Sequence, residues 1–137
     1  MGVKVKYKKR FKFVTSGIIT EYVGIFPPKS IYFEWGTLSE NGFLTIKDEY
    51  PWNGMSGIPL NISSSIRGVL FHDIIYRMIR LGLIDMKWKK KADQNLHDFC
   101  VEDGMLRPVA SIILKAVKKF GLSSTMPKAE PEVLEAP

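Results

Sequence analysis

The groups with the clearest chemical capacity are an imidazole and three oxygen-bearing side chains: His72, Asp73 and Tyr76 in one stretch, Asp93 in another. If residues 66–81 are helical, Val69, Leu70, Ile74, Met78 and Leu81 recur at three- and four-residue intervals, and His72 and Tyr76 share one face. Asp93 belongs to a second periodic run, Ala92, Leu96, Phe99 and Cys100. Two antiparallel helices burying these stripes would bring Asp93 to His72. A histidine facing a carboxylate is acid–base equipment, because the carboxylate fixes the tautomer at one ring nitrogen while the other accepts a proton. The same groups can equally form a buried polar network that specifies helix packing and does no chemistry.

The elements that must position these residues change character along the chain. With 137 residues, 45% of them hydrophobic and 25% charged, the chain has the size and composition of one globular domain. The fold class expected is α+β, an N-terminal antiparallel sheet packed beside a three-helix unit. In detail, residues 1–121 form the domain: β-rich over 1–50, a loop over 51–64, helices over 65–121, and a flexible tail over 122–137. Val3, Val5, Tyr7, Phe11 and Phe13 interleave with lysines, which is the period of a strand with one wet face. A second strand-like segment runs over 18–26. A hairpin follows, its arms 31–38 and 43–47 joined by Ser39-Glu40-Asn41-Gly42.

Ser63, Ser64 and Ser65 offer capping hydroxyls for a helix starting near Ile66, and Gly82 gives it a place to end. A third helix is expected over 106–120, with Pro108 in its first turn and Val109, Ile112, Ile113, Ala116, Val117 and Phe120 buried. The tail carries Pro127, Pro131 and Pro137 among Glu130, Glu132 and Glu135, with little to bury. Cys100 stands alone and reads as a small buried hydrophobe. The net charge of +6 is concentrated near the start and in Lys87, Lys89, Lys90 and Lys91, which suits anionic partners. No apolar run has the length of a membrane span, and the first residues lack the core of a signal peptide.

Trp52-Asn53-Gly54-Met55-Ser56-Gly57, then His72-Asp73-x-x-Tyr76-Arg77, then Ala92-Asp93, resembles a family of small phage-encoded domains of uncharacterised function. That family shows a W-D-G-x-S loop, an H-D-x-x-Y helix, an A-D helix and a basic last helix ending near Phe-Gly, as Phe120-Gly121 does here. Asn53 stands where the family often carries Asp. The same order of parts is similar to the phospholipase A2 domains of parvovirus capsid proteins, with Leu96 in place of a phenylalanine. This likeness implies His72 as the base that activates water, Asp93 as its orienter and Tyr76 as a supporting hydrogen bonder. It also implies Ca2+ held by Asp73 with loop carbonyls, for which Trp52 and Gly54 are candidates. The activity implied is calcium-dependent lipid ester hydrolysis during passage through a host envelope.

Two other readings use the same residues. A metal phosphohydrolase would need further ligands, of which His97 is one candidate. A non-enzymatic component of a phage tail or DNA-delivery apparatus would use His72, Asp73, Tyr76 and Asp93 only to fix the helix pair. The partners expected are other phage structural proteins and a phospholipid surface. The two lysine blocks contain no recognisable reader of a nucleic-acid sequence. The location expected is the virion, or the host cytoplasm during assembly.

Overall fold

Among the described residues, strands occupy the first part of the chain and three helices follow, the α+β arrangement expected from the change of period. The computed structural model describes residues 13–52 and 63–120. The expectations for the lysine-rich start, for the loop from Asn53 to Gly57, for Phe120 as a core side chain and for the tail lie outside the described residues.

The strands are β1 (Phe13–Val14), β2 (Ile19–Tyr22), β3 (Ile31–Phe33), β4 (Gly36–Leu38), β5 (Phe43–Ile46) and β6 (Pro51–Trp52). One antiparallel sheet has the order β2-β5-β4-β3, and β1 pairs with β6. Phe13 pairs with Trp52 and Ile19 with Ile46. Between them Thr15 exchanges backbone hydrogen bonds with Tyr50 and Glu49, each 3.0 Å. The register is thus the same on both sides of the break, and residues 13–22 and 43–52 form one long ribbon. Pro51 and Trp52, expected in a loop, belong to its end. The Thr15 hydroxyl holds the break closed, donating to the Lys47 carbonyl (2.8 Å) and accepting from the Tyr50 amide (2.7 Å).

The run 31–38 does not form the single strand expected. It folds back at Glu34-Trp35, so that β3 pairs with β4 and Phe33 faces Gly36. Gly36 explains how β4 then fits beside β5: a Cβ there would stand 1.8 Å from the Thr45 carbonyl oxygen. The expected turn at 39–42 is present, closed by a 3.0 Å bond from the Gly42 amide to the Ser39 carbonyl.

The helices are α1 (Ser63–Arg80), α2 (Lys89–Glu102) and α3 (Arg107–Phe120), with a 3-10 turn at Met86–Trp88 leading into α2. Helix α1 is buried on nearly all sides, Val69, Phe71, Ile74 and Met78 being wholly covered. It starts before the position expected, so Ser64 and Ser65 lie buried in its first turn. It ends at Gly82, where the amides of Gly82 and Leu83 bond back to Ile79 and Met78. That stop turns Leu81 away from the stripe assigned to it, leaving it 39% exposed.

Helices α1 and α2 approach closely at Gly68. A Cβ there would meet the Leu96 carbonyl and Cys100 Sγ, both at 3.1 Å. Cys100 is fully covered, and its burial pushes the thiol up to about 11. Phe71 and Phe99 close the same seam edge to face. Polar ties join sheet and helices. Arg67 pairs with Glu21 of β2 and with Glu102 (both 2.9 Å), and the Arg77 guanidinium lies 3.4 Å over the Trp35 ring and donates to the Tyr50 hydroxyl. Asn95 of α2 donates to the Val23 carbonyl at 2.8 Å.

Helix α3 packs through Ala110, Ile113 and Val117, whereas Val109 and Ile112, expected in the core, are 40% and 67% exposed and Ala116 is also exposed. Two apolar stripes run side by side on this helix. The one holding the small Ala110 lets α3 approach α2 and is the one buried. None of the helices among the described residues is long and apolar enough to cross a membrane.

Candidate functional site

Helix α1 delivers His72 and Tyr76 one turn apart, their ring centroids 4.0 Å from each other. Helix α2 delivers Asp93 and, one turn earlier, Lys89. The α1–α2 packing brings all four groups together; the two apolar stripes led to this for His72, Tyr76 and Asp93 but not for Lys89. Asp93 Oδ1 accepts from His72 Nε2 at 2.7 Å and from the Tyr76 hydroxyl at 2.5 Å. Oδ2 accepts from Lys89 Nζ at 2.8 Å, and the same ammonium lies 3.5 Å from the Val117 carbonyl of α3. The side chains of His72 and Asp93 are 0% and 1% exposed.

These contacts define the protonation of the cluster. Burial alone would raise the Asp93 carboxyl, but the donors His72, Lys89 and Tyr76 outweigh it and hold the group below the usual carboxylate range. Burial lowers His72 more than the neighbouring carboxylate raises it, so the neutral imidazole is favoured. Burial and the bond to Asp93 both push the Tyr76 phenol far above its ordinary value. An ionised carboxylate can only accept, so the His72 proton resides on Nε2 and the basic lone pair on Nδ1. The chemical state is therefore a neutral base with its tautomer fixed. Lys89 balances the charge of Asp93. The lysine run conceals Lys89 in the sequence, and its one signal there is the four-residue spacing to Asp93.

The expected calcium ligands are only partly described. Asp73 follows His72 on α1 and is half-buried; Trp52 ends β6 with its indole covered and stacked on Phe13, ring centroids 4.9 Å apart. Gly54 lies outside the described residues. Calcium takes six to eight oxygen ligands. Among the described residues no group of three or more His, Cys, Asp or Glu side chains is placed to hold a metal ion, so the described donors do not make a complete calcium site. His97 does not extend the cluster either, since its Nδ1 pairs with Asp98 at 2.9 Å.

Comparison of the chain with protein-family models, with curated proteins and with solved structures finds no match.

Proposed function

We propose that the His72, Asp93 and Tyr76 cluster is the general-base site of a phospholipase A2-like hydrolase acting on acyl esters at a lipid surface. The observation that carries this reading is the shared oxygen: Asp93 Oδ1 holds both His72 Nε2 and the Tyr76 hydroxyl, with the imidazole neutral. In the reaction His72 takes a proton from water as the hydroxide oxygen attacks the ester carbonyl. Asp93 stabilises the imidazolium that forms, Tyr76 keeps the carboxylate in place, and the proton passes to the departing alkoxide. Calcium belongs to this reading through the resemblance, with Asp73 as its carboxylate ligand; when bound it would polarise the ester carbonyl. Nothing in the proton transfer at His72 is routed through it. In a phage particle, such an activity would serve passage through the lipid of a host envelope.

A second reading is favoured by a different observation. The His72 ring is wholly covered, and both Asp93 oxygens are engaged by protein donors. A network satisfied in this way can serve solely to fix α1 against α2 in a structural component.

The experiment that separates the two is fatty-acid release from phospholipid vesicles, with calcium or with chelator. The hydrolase reading expects release by the wild type in calcium and none by His72→Ala. It expects a loss of roughly two to four orders of magnitude in Asp93→Asn, and loss of both turnover and calcium binding in Asp73→Asn. Absence of release by the folded wild type in calcium would sink the hydrolase reading and leave the structural one.

A further inference from the structure

We propose that the basic pocket beside Asp93 is a binding site for a phosphate group. The pocket lies where the 3-10 turn, the start of α2 and the end of α3 meet. It holds about 390 Å3 and is lined by Met86, Lys87, Lys89, Lys90, Asp93 and Lys118. Four lysine side chains thus border one surface pocket with one aspartate. Lys89 is committed to that carboxylate. Lys87, Lys90 and Lys118 have no carboxylate partner among the described residues.

This arrangement works against stability unless something negative enters. Lys89, Lys90 and Lys91 crowd the first turn of α2 with no acidic residue among them, where the helix dipole favours the opposite sign. Lys118 adds another cation from a separate helix, so the concentration of charge is made by the tertiary fold and not by the sequence run alone. A multiply charged anion relieves all of these repulsions at once. Lysines serve phosphate as mobile point charges, each with three donors; Lys90 and Lys118, with Lys87 held only 5.5 Å over the Trp88 ring, suit a group with several acceptor oxygens. The volume leaves room for more than the phosphate, and Met86, 37% exposed, offers that remainder an apolar contact.

Free phosphate and a phospholipid headgroup share this chemistry. The pocket shares Asp93 and Lys89 with the cluster but neither His72 nor Tyr76, and phosphate binding is read without turnover, so its failure is distinguishable from failure of the hydrolase reading.

The test uses the full chain and a Lys90→Glu, Lys118→Glu double variant; both side chains are exposed, so the fold has no stake in them. Lys29→Glu, Lys47→Glu carries the same charge change elsewhere on the surface. Titration with inorganic phosphate, followed by backbone amide resonances, should give saturable shifts at residues 86–90 and 118. Affinity should fall by about tenfold or more in the double variant, a change worth about 1.4 kcal/mol, and stay near the wild-type value in the control. Vesicles of phosphatidylglycerol and of phosphatidylcholine form the second arm. Retention on the anionic vesicles that the double variant alone loses assigns the site to a headgroup. Phosphate binding without such retention assigns it to a soluble phosphate. Unsaturable shifts, or equal weakening in the control, overturn the proposal.

Discussion

Asp93→Ala is expected to be the most damaging single substitution in the α1–α2 pair, lowering stability by roughly 3–5 kcal/mol. The size follows from what the change leaves behind. His72 Nε2 and the Tyr76 hydroxyl lose their acceptor and are sealed from water, and the Lys89 ammonium keeps only the Val117 carbonyl at 3.5 Å. A donor buried without a partner retains its full desolvation cost. Tyr76→Phe removes a single donor together with its hydroxyl, so it should cost only about 1 kcal/mol. Denaturant titration gives both values from midpoints and slopes. Should Asp93→Ala prove as mild as Tyr76→Phe, the carboxylate does not organise the cluster, and both functional readings fall with it.

The second large effect is on acid stability. Because burial depresses His72 below its ordinary value of 6.5, the unfolded chain takes up a proton before the folded one does. Stability contributed by the neutral ring is complete above pH 6.5 and falls as pH drops from there toward the folded value, by at most about 1.4 kcal/mol per pH unit. Asp93 adds a lower window. Its folded value lies below the ordinary 3.8, so its contribution is present above pH 3.8 and is lost as pH falls through the folded value. The thermal midpoint should therefore decline in two stages between pH 7 and pH 2. His72→Gln keeps a donor for Asp93 and cannot titrate, so it should flatten the first stage and leave the second. A first stage that survives in His72→Gln would assign it to another group.

The helix pair and the cluster it carries were legible because two independent periodicities constrain each other. The spacing of Val69, Ile74 and Met78 orients α1, that of Ala92, Leu96 and Phe99 orients α2, and burying both leaves His72 facing Asp93. Lys89 was not legible as a member. A lysine in a run of lysines reads as solvated surface, and only the packing shows which one reaches the carboxylate. Helix α3 lies where it was expected, with Ile113 and Val117 buried, but part of its assigned stripe is exposed for a different reason. Val109, Ile112 and Ala116 are as apolar and as well spaced as Ala110, Ile113 and Val117, and a period of 3.6 cannot choose between stripes one residue apart. The fold-back at Glu34-Trp35 carries no turn residue at its tip, so composition alone reads straight through it.

The contact between Gly68 and Cys100 has a consequence for how the molecule can be observed. The chain's single thiol is fully covered, and burial disfavours its reactive anion. A water-borne alkylating reagent therefore cannot touch it while α1 is seated on α2. Each labelling event counts an excursion in which the seam has parted, and the labelling rate becomes a clock for local opening that needs no added probe. Since the same seam aligns His72 with Asp93, that clock ticks at the frequency with which the cluster comes apart.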